Sequence, residues 1–371
     1  MFTTITVAIP NNRNSATRDN KKIPVFLSNY SFLKFTFAYV SITILGIESS
    51  CDDTAVSLCE NGKILSNITA SQSIHEQWGG VFPELASRAH QQNIIPVIDA
   101  AVKSSGKKLT DINAIAFTRG PGLIGSLLVG TSFAKGLSLA LNIPLIEVNH
   151  IQAHILAHFI DAQPSFPFLC LTVSGGHTQL VLVHNHFAFE TIGETIDDAA
   201  GEAFDKTAKM LGLPYPGGHL IDKYAQAGNP LAFKFASPKA GNLNFSFSGL
   251  KTSVLYFLQK QEKINPAFIE ENLNDLCASI QYTIVEMLIS NLETAIIQTN
   301  VKEIALAGGV SANTLLRKRF ANVANHHSLQ YHIPKFEYCT DNAAMIAITG
   351  YYKYLQGNFT DLQVEPLARW K

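Results

Sequence analysis

The sequence predicts an α/β protein built from two similar halves that enclose a cleft. Each half opens on two short apolar runs joined by a polar turn: residues 44–47 and 55–58 in the first half, and residues 169–173 and 179–183 in the second. Strand-like and helix-like segments then alternate, which is typical of a mostly parallel sheet covered on both faces. The repeated hairpin indicates a duplicated unit, although two unrelated hairpins would give the same pattern.

Apolar spacing and turn residues locate the elements between and after these hairpins. The first half is predicted to contain, in chain order, a helix at 82–102, a buried strand at 113–118, a helix at 126–141, a buried strand at 145–148 and a helix at 151–159. The second half is predicted to contain a helix at 199–211, a Pro/Gly loop at 213–218, a long helix at 273–298, a strand at 303–307 and a helix at 313–324. No low-complexity linker separates the halves, so we expect them to pack against each other.

The composition excludes two classes of protein. The 371 residues are 47% hydrophobic and 15% charged, and the formal net charge is −1. A disordered chain needs low hydrophobicity and high net charge, and a nucleic-acid coat protein needs a strong excess of basic residues. This chain has neither property. A nucleic-acid substrate held by a local basic patch is still compatible with the composition.

Residues 1–43 differ in composition from the rest of the chain. They carry five basic residues and one acidic residue, whereas residues 44–371 have a net charge of −5. We expect a poorly ordered extension. An organellar presequence, a secretory signal and an unused upstream start codon are the alternatives, and a secretory signal is disfavoured because no clear small-residue cleavage site precedes the first strand.

The cysteines bear on the redox compartment of the protein, and the hydropathy bears on whether a helix spans a membrane. The five cysteines are odd in number and form no Cys-x-x-Cys pair, which favours buried reduced thiols over a disulfide framework or a thiolate metal site. No run of 18 or more uncharged apolar residues occurs, so no transmembrane helix is predicted.

Two histidines after the strand at 145–148 form a candidate metal site. His150 and His154 are four residues apart, so on a helix they share one face and can bind one divalent transition metal. The spacing alone is not specific, because histidine pairs on helices are common and His158 extends the row by one more turn. A third ligand is needed, and Asp341, in a loop after a strand-like run, is the best candidate.

Two glycine pairs are suited to binding an anion through backbone N–H groups. One lies in the hairpin turn at 173–177, where a plain turn is the alternative interpretation. The other, Gly308 and Gly309, lies between a strand and a helix, and Ser311 is expected to cap that helix. Neither a Walker loop nor a dinucleotide-binding fingerprint is present.

Acidic residues are dense at 193–206, although this chain has few charges elsewhere. The helix dipole accounts for some acids at a helix start. Asp205, near the Pro-Gly-Gly sequence at 216–218, is suited to holding ribose hydroxyls. Asp52, in the first hairpin loop, lies where an acid can position a phosphate, a metal or a water molecule.

Taken together, these motifs closely resemble the TsaD family, the bacterial-type tRNA N6-adenosine threonylcarbamoyltransferases. The resemblance covers essentially all of residues 44–371 and rests on segments that occur in this order: 47–54 (IESSCDDT), 79–88 (GGVFPELASR), 150–154 (HIQAH), 173–178 (VSGGHT), 197–206 (DDAAGEAFDK), 216–218 (PGG), 245–251 (FSFSGLK), 308–313 (GGVSAN) and 339–342 (CTDN). It implies the actin-like, sugar-kinase and Hsp70-type ATPase fold, with two duplicated lobes and the site in the central cleft. We expect one lobe at 44–155 plus 340–371 and the other at 156–339.

The resemblance also implies a reaction and a set of functional residues. The reaction is transfer of the threonylcarbamoyl group of threonylcarbamoyl-AMP to N6 of adenosine 37 in tRNAs that read ANN codons, with release of AMP. The implied ligands of one divalent metal, Fe²⁺ in preference to Zn²⁺, are His150, His154 and Asp341. Asp52 is implied to be needed for activity. The implied contacts to the adenylate are Val173, Ser174, Gly175, Gly176 and His177, and those to its nucleoside part are Asp205, Gly218, Asp222 and Asn313.

The resemblance implies partners and a location as well. Besides tRNA and threonylcarbamoyl-AMP, bacterial relatives need a catalytically inactive paralogue (TsaB) and a small ATPase (TsaE), whereas mitochondrial relatives act as homodimers. No membrane is implied. We expect a cytoplasmic protein, or a mitochondrial one if residues 1–43 are a presequence.

Three other functions have to be weighed against this one. An ATP-dependent sugar kinase or actin-like ATPase of the same fold explains the glycine loops but not the paired histidines with a distant Asp341. A metalloprotease needs a Glu directly after the first histidine, and this chain has Ile151 there. An inactive scaffold paralogue should lack the metal ligands, and this chain keeps all three.

Overall fold

This computed structural model describes residues 41–370 apart from 73–74 and 76–79. The predicted extension at 1–43 therefore lies, except for its last three residues, outside the described residues. The first strand begins at Thr43, close to the boundary expected from the change in composition.

The first half of the chain forms a five-stranded mixed sheet. Its strands are β1 (Thr43–Glu48), β2 (Thr54–Glu60), β3 (Lys63–Ala70), β4 (Ala114–Gly120) and β5 (Leu145–Asn149), in the order β3-β2-β1-β4-β5. The central strand β1 pairs antiparallel with β2 and parallel with β4. All six residues of β1 are buried, as expected for the middle strand of a sheet covered on both faces.

The second half forms a sheet of the same design. Its strands are β6 (Phe168–Val173), β7 (Thr178–Asn185), β8 (Ala188–Glu194), β9 (Glu303–Ala307) and β10 (Gln330–His332), in the order β10-β9-β6-β7-β8. Here β6 takes the central place, antiparallel to β7 and parallel to β9. The two sheets therefore repeat one topology, as the repeated hairpin in the sequence predicts.

Helices cover the sheets and fill the space between them. They are α1 (Pro83–Ser105), α2 (Ile124–Leu141), α3 (His150–Leu156), α4 (Ala200–Met210), α5 (Gly218–Ala225), α6 (Ser248–Glu262), α7 (Phe268–Glu271), α8 (Leu273–Thr299), α9 (Thr314–His326) and α10 (Ala343–Leu355). Helices α1 and α2 pack on the first sheet, and α8 is the longest helix of the second half. The C-terminal α10 returns to pack on β1 and β2, so the last segment of the chain joins the first sheet.

Two local predictions were wrong, and a third was right only in part. The cap of α9 is Asn313, whose side chain accepts a hydrogen bond from the Leu316 amide, whereas Ser311 lies two residues earlier in a 3₁₀ turn. An amide side chain directly before the first helical residue meets the free N–H groups, and a hydroxyl two residues earlier does not. The strand-like run before Asp341 is the 3₁₀ turn Phe336–Tyr338. The helix expected at 151–159 ends at Leu156 and continues as a 3₁₀ turn.

Helix α2 is long and apolar enough to cross a membrane by length and composition, with a mean hydropathy of 1.4. It nevertheless packs on β4 and α1 through a buried face that includes Leu127 and Ala134. Core helices of α/β layers pass the same test, so α2 does not overturn the prediction from sequence that no helix crosses a membrane.

All five cysteines are free thiols, in agreement with the sequence prediction. Four are buried, and Cys51 is partly exposed in the loop after β1. Burial raises the pKa of Cys59 and Cys170 to about 12, so both are neutral at physiological pH and behave as small apolar side chains.

The buried His158 gives the fold a pH dependence. Burial, and to a smaller extent the charge of His332, lower the pKa of His158 to about 3. A hydrogen bond with the Leu306 backbone acts in the opposite direction and raises this pKa. The unfolded chain binds a proton at this side chain below about pH 6.5, whereas the folded chain does not. Stability is therefore fully present above about pH 6.5 and falls, by up to about 1.4 kcal/mol per pH unit, as the pH drops towards 3.

Urea unfolding at pH 7.5, 6.5 and 5.5 measures this contribution. We expect His158→Gln, which cannot become charged, to show a shallower loss of stability between pH 6.5 and 5.5 than the parent chain. Equal slopes in the two proteins would mean that His158 is protonated in the folded state.

Candidate metal centre and substrate cleft

Helix α3 begins directly at the end of β5, and its start is fixed by a side-chain cap. Asn149 Oδ1 accepts hydrogen bonds from the amides of Ile151 (2.9 Å) and Gln152 (3.1 Å). This cap sets the helix phase, so that His150 and His154 lie one turn apart on the same face. Both imidazoles are buried, and their ring centroids are 4.8 Å apart.

Asp341 reaches the same point from the other end of the chain. It immediately precedes Asn342, whose side chain caps α10 by accepting a hydrogen bond from the Met345 amide. Asp341 Oδ1 lies 3.2 Å from His154 Nε2 and 3.4 Å from His150 Nε2. The structure therefore brings together the three residues that the sequence singled out as ligands.

The three side chains fit one divalent metal ion. Their donor atoms lie within 4.8 Å of one another, and two imidazole nitrogens with one carboxylate oxygen form a set that Fe²⁺ and Zn²⁺ accept. The other ring nitrogen of His154, Nδ1, is buried and has no hydrogen-bond partner among the described residues, so Nε2 is the nitrogen through which this ring contacts Asp341. His158, the third histidine of the row, belongs instead to a separate buried contact with His332.

Sequence reasoning missed Glu48, a fully buried carboxylate behind the histidines. Its Oε2 accepts hydrogen bonds from Thr118 Oγ1 (2.6 Å) and His150 Nδ1 (3.0 Å), and its Oε1 accepts one from the Ser50 amide (2.5 Å). A carboxylate on Nδ1 fixes the tautomer of an imidazole and directs Nε2 towards a metal. A charged residue at the end of an otherwise apolar strand was the signal that could have identified it.

Glu48→Gln is expected to weaken metal binding by about 10- to 100-fold. Glutamine has only one acceptor oxygen, so either the Ser50 amide or His150 Nδ1 would face an N–H donor. Titration of the metal-free protein with Zn²⁺ against a chromophoric chelator measures the dissociation constant. Glu286→Gln, which alters a half-buried carboxylate paired with Arg319 elsewhere, is the control and should bind normally. An unchanged dissociation constant in folded Glu48→Gln would contradict the orienting role.

The charged groups of the centre lie close enough together to shift one another's pKa. Burial alone would lower the pKa of His150, but the carboxylates of Glu48 and Asp341 raise it well above its usual value. Burial raises the pKa of Asp53 to about 7, and the neighbouring Asp341, Asp52 and Glu48 add to that shift. The centre thus holds more carboxylates than cationic side chains, and a divalent metal ion would offset the repulsion between these carboxylates.

The loop after β1 is held rigidly beside this centre. The Ser50 carbonyl accepts a hydrogen bond from the Leu123 amide (2.7 Å), and the Cys51 carbonyl accepts one from Ser126 Oγ (2.9 Å). Asp52 follows directly and lines a cavity of about 1000 Å³ that also contains His150 and Asp341. The predicted active-site acid is therefore in the same cavity as two of the three predicted metal ligands.

The glycine turn between β6 and β7 lies on the same cavity. The Ser174 amide donates to the His177 carbonyl (2.8 Å), and the His177 amide donates to Ser174 Oγ (3.1 Å). Gly175 and Gly176 are exposed, and an added Cβ at either would meet no atom of the described residues within 4 Å. The turn thus presents open backbone to the cavity, whereas Val173 is fully buried at the end of β6 and is not among the described residues that line it.

The four residues implied to bind the nucleoside form a second group around α5. Asp205 Oδ1 accepts hydrogen bonds from the amides of Gly217 (2.8 Å) and Gly218 (3.1 Å), at the start of that helix. Burial raises the pKa of Asp205, and these two hydrogen bonds oppose the shift.

One turn further along α5, Asp222 meets the start of α9. Its carboxylate accepts hydrogen bonds from Gln281 Nε2 (2.7 Å) and Thr314 Oγ1 (2.7 Å). Gln281 Nε2 also donates to Asn313 Oδ1 (3.1 Å). Within the described part of the chain, this α5 group is separate from the residues that line the large cavity.

Comparison with known proteins identifies the family. The model of the TsaD family, described as tRNA N6-adenosine threonylcarbamoyltransferase, matches residues 63–348. The chain belongs to this family. Among curated TsaD proteins, that of Christiangramia forsetii is 62% identical over 89% of this chain and 98% of its own length. That of Porphyromonas gingivalis is 57% identical over 88% of this chain and 98% of its own length.

Solved structures support the fold expected of a TsaD protein. Component A of the (R)-2-hydroxyglutaryl-CoA dehydratase of Acidaminococcus fermentans matches with a TM-score of 0.52 and 16% identity, over 85% of this chain and all of that chain. A full-length HypF matches with a TM-score of 0.58 and 12% identity, over 86% of this chain and 47% of that chain. The fold is that of the actin-like ATPases and sugar kinases, as the resemblance implied.

Proposed function

We propose that this TsaD protein transfers the threonylcarbamoyl group of threonylcarbamoyl-AMP to N6 of adenosine 37 in tRNAs that read ANN codons, releasing AMP. Family membership supports the reaction, since curated relatives at 50–62% identity carry the name of this transferase. The arrangement of the cavity supports its location, because His150 and Asp341 of the His-His-Asp group line the same cavity as the open glycine turn.

The donor is a mixed carbamic–phosphoric anhydride, so AMP is a good leaving group. N6 of the acceptor forms a bond to the carbamoyl carbon, the bond from that carbon to the phosphate oxygen breaks, AMP takes the electron pair, and N6 loses a proton. The acceptor is a weakly basic aromatic amine, so positioning contributes more than a strong base. We propose that the N–H groups of Gly175 and Gly176 bind the adenylate and its developing charge, while Ser174 holds the turn through its hydrogen bonds with His177 and contributes its side chain. Asp52 is proposed to be required for the transfer.

His150, His154 and Asp341 are proposed to hold one metal ion, which supplies a Lewis acid for the donor's carbonyl or phosphate oxygen. We propose Fe²⁺ in preference to Zn²⁺, since two histidines and one carboxylate form the ligand set of many non-haem iron sites. The remaining residues are proposed to serve the donor as well. His177 completes the glycine turn, Val173 contributes only its backbone, and the α5 group binds the nucleoside through Asp205, Gly218, Asp222 and Asn313.

The chain is proposed to act in the cytoplasm with partner proteins, the inactive paralogue TsaB and the small ATPase TsaE. Apolar side chains exposed on the outer faces of α1 and α2 support a protein partner: Ile95, Ile124, Leu128 and Leu139. We also propose that the two sheets belong to separate lobes, 44–155 plus 340–371 and 156–339, that close on the substrates.

A reconstituted assay separates this function from its main alternative. The full chain with its partners receives either threonylcarbamoyl-AMP and a tRNA reading ANN codons, or ATP and a panel of hexoses. We expect threonylcarbamoyl-adenosine in digests of the tRNA, measured by mass spectrometry, and no sugar phosphate. Sugar phosphate without modified tRNA would establish a kinase and overturn the proposal.

A further inference from the structure

The C-terminal segment of the described chain forms a wall of the large cavity. Ala368, Arg369 and Trp370 line it together with His150 and Asp341. Backbone hydrogen bonds fix the segment, because the Leu367 amide donates to the Arg119 carbonyl (2.8 Å) and the Gly122 amide donates to the Ala368 carbonyl (3.2 Å). The wall is therefore positioned before any substrate enters.

Trp370 is backed by a fixed cation. The guanidinium carbon of Arg119 lies 5.3 Å from the centroid of the indole ring. The same guanidinium donates to Glu147 Oε2 (2.7 Å) and to the Glu365 carbonyl (2.8 Å), so its position is determined from two further sides. A cation on one side of the indole stabilises the ring in place, and the half-buried Trp370 borders the cavity.

Arg369 adds a positive charge where the chain has few. Among the described residues that line the cavity, it is the single lysine or arginine, and it is exposed. The chain beyond residue 43 has a net charge of −5. An RNA that enters this cavity therefore needs a local partner for its phosphates, and Arg369 is placed to be one.

We propose that Trp370 stacks on a nucleobase of the acceptor's anticodon loop while Arg369 pairs with an adjacent phosphate. This inference rests on the proposed function for the identity of the RNA. Splayed-out bases of single-stranded loops are recognised by aromatic side chains, and nearby arginines neutralise the backbone. A purine could also come from the donor, but the residues implied to hold its nucleoside, Asp205 and Asp222 among them, lie around α5 rather than on this wall.

Tryptophan fluorescence tests the stacking directly. The chain has two tryptophans, Trp78 and Trp370, so Trp78→Phe leaves Trp370 as the sole emitter. We expect a 17-nucleotide anticodon stem–loop with adenosine 37 to quench this emission, and AMP at the same occupancy to leave it nearly unchanged. Quenching by AMP alone would assign the ring to the donor, and no quenching by bound RNA would remove the stacking; either outcome overturns the proposal.

Binding and kinetics provide the second readout. We expect Trp370→Leu to raise the dissociation constant for the stem–loop and the KM for tRNA by roughly 10-fold. Trp370→Phe, which keeps an aromatic ring, should retain most of the affinity of the parent chain. The KM for threonylcarbamoyl-AMP should not change. Unaltered RNA affinity and KM in folded Trp370→Leu would contradict the inference. If Trp370→Leu does not fold, Arg369→Gln serves instead, with weaker RNA binding and a smaller salt dependence expected.

The two proposals fail in different ways. A parent chain that binds the stem–loop, with quenching, but does not modify tRNA would refute the proposed reaction and leave the stacking standing. A parent chain that modifies tRNA while Trp370 emission ignores bound RNA would refute the stacking alone.

Discussion

Replacing His154 with alanine is expected to reduce the rate of threonylcarbamoyl transfer by a factor on the order of 100 or more. His154 Nε2 lies 3.2 Å from Asp341 Oδ1, and its loss leaves two of three proposed ligands. Changes one layer further from a metal already cost about 10- to 100-fold in affinity or activity. Metal content per chain, measured by plasma mass spectrometry after dialysis, should fall together with the transfer rate.

His184→Gln is the matched control for this variant. His184 is an exposed histidine on β7 whose Nε2 bonds to Glu190. It is not one of the three proposed metal ligands. We expect it to keep both its metal and its rate. A His154→Ala protein that unfolds like the parent, loses its metal and still transfers at the parent rate would show that the metal is not part of the reaction.

Replacing Gly308 with alanine is expected to destabilise the protein by about 3 kcal/mol and to slow transfer. Gly308 has a φ of +86°, and an added Cβ would lie 2.4 Å from the Val173 carbonyl oxygen. That contact joins the end of β9 to the end of β6, where the glycine turn begins. The backbone must shift to accept the methyl group, and the turn that faces the cavity must shift with it.

Gly212→Ala separates the two causes of this loss. Gly212 has a comparable φ of +74°, but an added Cβ would meet nothing within 4 Å in the part of the chain that the structure describes. The cost of Gly212→Ala should therefore be limited to about 1 kcal/mol from the backbone conformation. Urea unfolding of both variants gives the two values. Equal losses would mean that the approach of Gly308 to Val173 adds nothing.

The architecture was predictable because its signals are local. The strand at 303–307 was predicted at its observed bounds, and most long helices within a few residues, since buried runs and apolar spacing mark them. Strand β3 was missed because polar and apolar residues share its partly exposed faces. Helix α10 was missed although it is largely buried, because a helix that is apolar nearly all round lacks the one-sided spacing that marks a surface helix.

The site was predictable only in part. Motifs gave His150, His154 and Asp341. The structure shows why residues so distant in sequence meet: α10 packs against α3, and Asp341 directly precedes Asn342, the cap of α10. The role of Glu48 depends on a contact across 102 residues, which no spacing reveals. Charge counting gave no sign of Arg369 on the cavity wall and no motif pointed to Trp370, because the role proposed for them depends on their position in the fold.

The most direct measurement is the location of a labelled threonylcarbamoyl group after reaction with tRNA. The full chain, its partners and ¹³C-labelled donor are incubated with a tRNA reading ANN codons and with the same tRNA carrying guanosine at position 37. The account predicts label on N6 of adenosine 37 in the first tRNA and none in the second. Label at another position, or donor consumed with AMP release and no labelled tRNA, would contradict it.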